Sequence, residues 1–212
     1  MILADGEQAR SQAAEIIRRG GLIAFRTDTF YGLGAYPLNP NAVSRIKQLK
    51  GREDTKPILV VISDLDQVTR FIPEQSDAFT LLARRFWPGP LTLVGPACPG
   101  IPPELTARSE TIGIRLPDDV AVQDLIRACG GSLTATSANP SGLPAASTAQ
   151  QCFEYFSADL DLIIDGGRSQ TDAPSTVVEA SGSVPRLIRE GMISRGAIDR
   201  ELIASGLQRL GE

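Results

Sequence analysis

The chain has 212 residues, 42% of them hydrophobic and 22% charged, with a formal net charge of −4 and no histidine. That length supports one well-buried core, while the missing imidazole excludes Ser-His-Asp and Cys-His catalytic centres together with the commonest transition-metal ligand. The acidic balance lacks the basic surplus of a non-specific duplex binder, and no run approaches the roughly 18 apolar residues of a membrane span.

In chain order, Ala9, Ala13, Ile16 and Ile17 fall at helical spacing and predict a helix over 8–19, closed by Gly20-Gly21. The apolar run 22–25 reads as a buried strand. Asn39-Pro40 supplies an N-cap and a first-turn proline for a helix that carries Ala42, Ile46 and Leu49 and stops at Gly51. A strand is expected over 57–62 and a helix over 73–86 burying Phe79, Leu82 and Phe86. Pro88-Gly89-Pro90 ends that helix, a strand spans 91–94, and 96–103 is a Pro/Gly-rich loop. Then come a strand at 111–115, a helix at 120–129, a strand at 132–136, a helix near Gln150, a strand at 162–164 and a Gly-containing loop over 165–174. Strands at 175–179 and 184–189 form a hairpin around Ser181-Gly182-Ser183, and a helix over 194–204 follows. This interleaving predicts an α/β layered fold with a mixed sheet in a single domain over residues 1–212.

Cys98, Cys129 and Cys152 are far apart, odd in number and without a CxxC pair. They read as reduced thiols rather than a disulfide or zinc framework. The N-terminus has no basic region followed by an apolar stretch, so a cytoplasmic location is expected.

Five segments carry chemistry. Arg26-Thr27-Asp28-Thr29-Phe30-Tyr31-Gly32 follows a buried strand, where ligands bind in open α/β sheets; a polar turn with Asp28 bonded to its own backbone is the plainer alternative. Arg45, Lys47, Lys50 and Arg52 gather cations at a helix end, suited to a triphosphate or simply to the helix dipole. Arg115 closes a strand with the same parity as Thr111 and Gly113, where it could hold a carboxylate or pair with an acidic side chain. Ser137-Ala138-Asn139-Pro140-Ser141-Gly142 is a loop of small polar residues that lets a ligand approach closely, or a plain Asn-Pro turn. The closing hairpin brings Ser175 near Arg189. There is neither a GxxxxGK[ST] phosphate loop nor a GxGxxG fingerprint.

Taken in this order, Thr-Asp-Thr-x-Tyr-Gly-Leu, Lys-x-Arg, a strand ending in Arg, Ser-Ala-Asn-x-Ser-Gly and Ser-Thr-Val-Val, the segments resemble the YrdC-like family from about Gly20 to Gly191. The resemblance implies a twisted mixed sheet with flanking helices and a concave, positively charged face. It implies a nucleotidyltransferase that forms threonylcarbamoyl-AMP and pyrophosphate from L-threonine, bicarbonate and ATP, with Mg²⁺ arriving on the ATP and no metal site in the protein. A separate threonylcarbamoyl transferase complex then modifies an adenosine beside the tRNA anticodon.

By the same resemblance, Lys50 and Arg52 act electrostatically on the phosphates, and Thr111, Ser137, Asn139 and Arg189 complete the ATP site. Thr29, Arg115 and Ser175 bind threonine. Two positions depart from the pattern: Ala145 stands where a serine is common, and Arg26 where a proline is common. The chain looks like a short form without an additional C-terminal domain. Two other functions stay open: a non-catalytic module binding tRNA or double-stranded RNA, and a paralogue acting on another carbamoyl-type substrate.

Overall fold

A computed structural model of the protein describes residues 1–51, 56–169, 171 and 173–211. Its strands fall into two mixed sheets. The first contains β1 (Ile2–Ala4), β2 (Ile23–Arg26), β3 (Tyr31–Gly34), β8 (Thr136–Ser137) and β9 (Leu162–Asp165), in the order β1-β9-β2-β3-β8. The second contains β4 (Val60–Ile62), β5 (Leu91–Pro96), β6 (Thr111–Arg115), β7 (Ser132–Thr134), β10 (Thr176–Glu179) and β11 (Arg186–Arg189), in the order β11-β10-β5-β6-β4-β7. The mixed α/β reading holds, with the strands shared between two sheets.

The predicted strand 132–136 is where the chain crosses from one sheet to the other. β7 pairs antiparallel with β4, β8 pairs antiparallel with β3, and Ala135 is the single residue between them. At this corner Thr134 N donates to Ala35 O, Ala135 N donates to Leu59 O, and the Thr134 hydroxyl bonds Ala35 N and Leu33 O. These bonds satisfy buried polar groups of the bend without water.

Helices cover the outer faces. α1 (Glu7–Arg18) and α6 (Val120–Ala128) enclose a core that includes Ala13, Ile17, Ile23, Phe25, Val61 and Leu125. The alternate residues Leu22, Ala24, Val60 and Ile62 point into a larger core with α2 (Pro40–Lys50), α4 (Asp77–Phe86), α7 (Ala149–Phe156) and α8 (Arg195–Ala204). Period-2 alternation puts each strand between two cores, which is why 22–25 and 57–62 read as continuous apolar runs.

Helix ends follow local chemistry. The Asn39 side chain accepts from Asn41 N and Ala42 N, Pro40 opens α2, and Gly51 closes it at φ 57°, a conformation that favours glycine. The expected helix 73–86 begins later, at Asp77, because Ile72 before Pro73 is held out of the helical region at φ −131°, ψ 85°. Ser76 caps α4 instead, accepting from Phe79 N at 3.1 Å. A short turn of helix, α3 (Val68–Phe71), precedes it, and α5 (Pro103–Thr106) lies just after the expected 96–103 loop. Among the described residues, no helix is long and apolar enough to cross a membrane.

Candidate functional site

A cavity of about 550 Å³ opens between the two sheets. From the second sheet, Thr92, Thr111, Gly113, Arg115 and Val177 project into it on strands β5, β6 and β10. From the first, Tyr31, Gly32, Thr136 and Ser137 contribute on β3 and β8. The parity argument for β6 is met: Thr111, Gly113 and Arg115 all line the cavity, while Ile112 and Ile114 pack into the core.

Arg115 is 3% exposed. Its Nη1 donates to the Thr29 hydroxyl at 3.2 Å and its Nη2 to the Thr27 hydroxyl at 3.3 Å, with Asp28 Oδ1 3.2 Å from the same Nη2. The Thr27-Asp28-Thr29 turn is therefore a cradle for this guanidinium. The turn is itself braced: Thr27 Oγ donates to Phe30 O at 2.7 Å and accepts from Thr29 N at 3.2 Å. Burial pushes the Arg115 pKa down, Asp28 pulls it back up, and Arg189 pushes it down again. The guanidinium stays charged at any working pH. Its Nε has no hydrogen-bond partner among the described residues, a donor left over in a buried site.

Arg189 reaches the same cavity from β11. Opposite β10, Val178 pairs with Leu187 and Val177 with Arg189, so Ile188 is one residue in excess. Such a bulge re-aims the side chain beside it. Arg189 then donates from Nη2 to Ser175 O at 2.8 Å and to Ser175 Oγ at 3.3 Å. Ser175 Oγ lies 3.0 Å from Thr92 Oγ. Thr176 pins the returning chain, donating to Ile193 O at 2.6 Å and accepting from Gly191 N and Ile193 N. The expected proximity of Ser175 and Arg189 is thus met.

Thr29, Thr111, Arg115, Ser137, Asn139, Ser175 and Arg189 all line this one cavity. Arg52 lies outside the described residues. Lys50, expected to act on the phosphates, is 4% exposed and is not among the residues that line the cavity. Its ammonium donates to Ser137 O, to Asn139 O at 2.8 Å and to Asn139 Oδ1 at 3.2 Å. Of its described cationic neighbours, Lys47 is buried and Arg45 donates to Gly20 O at 3.2 Å.

Thr27 and Thr136, which fall in the chemical segments but have no assigned role, also line the cavity, as do Thr92 and Lys56, which sequence reasoning missed. Thr27 was legible in the Thr-Asp-Thr stretch, whereas Thr92 becomes visible only once β5 is set beside β6 and β10. Ala145 presents a methyl group to the cavity where a serine would present a hydroxyl. The extra cation Arg26 is engaged elsewhere, in an ion pair with Asp119 at 2.6 Å.

Among the described residues the lining therefore combines Arg115, Arg189 and Lys56 with five threonine and two serine hydroxyls, and includes no carboxylate. Such a wall recognises anions. Its described residues include no nucleophile beside a base, and burial raises the Cys129 and Cys152 thiols, which lie outside the lining, to about 12 and keeps them protonated. Such a wall suits orienting and electrostatically stabilising an anionic ligand.

Comparison with known proteins places this cavity in context. Residues 15–191 match the family model Sua5/YciO/YrdC, described as "Telomere recombination". The chain is 38% identical over 188 residues to a threonylcarbamoyl-AMP synthase of Pyrococcus abyssi, covering 89% of this chain and 55% of that protein. It is 38% identical over 171 residues to the one of Thiobacillus denitrificans, covering 80% of this chain and 90% of the relative. It superposes on the crystal structure of P. abyssi Sua5 complexed with L-threonine with a TM-score of 0.92 at 35% identity, covering 100% of this chain and 62% of that one. Escherichia coli YciO gives 0.81 at 27% identity, covering 93% of this chain and 97% of the other. The chain thus spans about half the length of its P. abyssi and Bacillus subtilis relatives.

Proposed function

Because the chain belongs to the Sua5/YciO/YrdC family, we propose that it forms threonylcarbamoyl-AMP and pyrophosphate from L-threonine, bicarbonate and ATP, supplied as its Mg²⁺ complex. The observation that carries this reading is the buried Arg115 in its Thr27-Asp28-Thr29 cradle, with Arg189 lining the same cavity. A site of that kind suits an amino-acid carboxylate on one side and nucleotide phosphates on the other. A relative of nearly the same fold has been solved with L-threonine.

Arg115 binds the threonine carboxylate, with Thr29 and Ser175 as neighbouring hydroxyls. Arg189, Lys56 and Ser137 face the nucleotide. The threonine amine and bicarbonate condense to a carbamate with loss of water. A carbamate oxygen then forms a bond to the α-phosphorus as the bond to the bridging oxygen of pyrophosphate breaks. Negative charge grows on the departing pyrophosphate, so cations facing it lower the barrier more than they stabilise bound substrate. Mg²⁺ arrives on the phosphate oxygens of the ATP. The product passes to a separate threonylcarbamoyl transferase that acts on tRNA.

Pyrophosphate release from ATP, measured with each co-substrate omitted in turn, tests this reading. Release should require both L-threonine and bicarbonate. Release with neither, or none at all from folded protein that binds ATP, would contradict it.

A further inference from the structure

Lys50 is the last residue of α2, one position before the left-handed Gly51. It grips the loop after β8 with both its ends. Its ammonium, which has three hydrogens to give, is directed at Ser137 O, Asn139 O and Asn139 Oδ1. Its carbonyl accepts from Ser141 N at 2.7 Å. The loop is closed on itself by Ala146 N donating to Ala138 O at 3.0 Å.

Asn139 is the hub of this loop. Its Oδ1 accepts from Ser137 Oγ at 2.6 Å as well as from Lys50, and its Nδ2 donates to Pro140 O at 3.0 Å and to Leu143 O at 2.6 Å. The amide is thus occupied at both ends in holding the turn. Ser137 and Asn139 line the cavity, and Ala145 of the same loop does too, whereas Lys50 stands behind them.

We infer that Lys50 is a positioning residue: it latches the 137–146 loop onto the end of α2 and so sets the wall that faces the nucleotide, without touching a phosphate. A charge-assisted bond to a carbonyl is stronger than a neutral one, and the Lys50 side chain that makes it is buried. Loss of the ammonium would leave Ser137 O and Asn139 O without this donor in a partly buried site, and the loop would loosen.

Two readouts on Lys50→Met test this, the second resting on the ATP reading proposed above. In ligand-free protein, hydrogen–deuterium exchange of the 138–146 amides should accelerate at least about tenfold, with the amides of α1 and α6 unchanged. Affinities for ATP and for AMP should fall by the same factor, because the loop is displaced for both. Unchanged exchange would overturn the latch. Loss of ATP affinity with AMP affinity retained would also overturn it, since that pattern marks direct contact with the outer phosphates. Should the Met variant not fold, Lys50→Gln, whose neutral amide keeps two N–H donors but loses the charge, should give intermediate exchange; wild-type exchange there would overturn the latch. If wild-type protein binds neither nucleotide, the functional reading fails while the exchange experiment still judges the latch.

Discussion

Arg115 shows how one side chain is given its role by others. A guanidinium at 3% exposure would be costly alone, and Asp28, Thr27 and Thr29 hold it charged and aimed. Arg115→Lys should raise the KM for L-threonine at least about tenfold, because an ammonium cannot reproduce the forked geometry, and should leave ATP affinity unchanged. Steady-state kinetics with each substrate varied separately check this. The thiols make a second prediction at this scale. With Cys129 and Cys152 raised to about 12, both remain protonated at pH 8, and only the thiolate is alkylated. A thiol reagent should therefore label no more than Cys98 in the native protein and all three cysteines after denaturation, as counted by intact mass. Most of the residues that meet in the cavity could be picked from the sequence because their motifs are short and local. The role of Lys50 could not, since its acceptors lie 87 and 89 positions further along the chain.

At the level of elements, helix ends and turns were the most readable, because a cap is decided by neighbours in sequence. Asn39-Pro40 and Gly51 mark α2 at both ends. Asn39→Ala should destabilise the protein by about 1 kcal/mol, measured by denaturant unfolding. The hairpin of β10 and β11 was also readable, but its bulge at Ile188 was not, and it is the bulge that turns Arg189 towards Ser175. Gly191 secures that turn: a Cβ there would meet Pro174 O at 2.2 Å and Ser175 C at 2.6 Å. Gly191→Ala should cost roughly 1–3 kcal/mol in unfolding free energy and should weaken threonine affinity, because Ser175 must shift. Strand β3 escaped sequence reading because two glycines in four residues hide its strand character. The break at Ala135 escaped it because residues 132–137 carry no Gly or Pro to mark a corner; pairing with β4 on one side and β3 on the other makes it.

Across the whole molecule, the two sheets divide the work. One brings the Thr27–Thr29 cradle and Ser137, the other brings Arg115, Ser175 and Arg189, and the cavity exists only where they meet. The α/β class was legible from interleaved strands and helices; the partition into two sheets was not, because strand pairing is set by contacts far apart in sequence. In a chain without histidine, the proposed reaction relies on substrate chemistry held between fixed cations and hydroxyls. The most direct test supplies ATP, Mg²⁺ and L-threonine with ¹³C-labelled bicarbonate and follows the nucleotide product by mass spectrometry. The account predicts a threonylcarbamoyl adenylate whose mass rises by the single unit of the label. An adenylate of threonine that lacks the labelled carbon would contradict it.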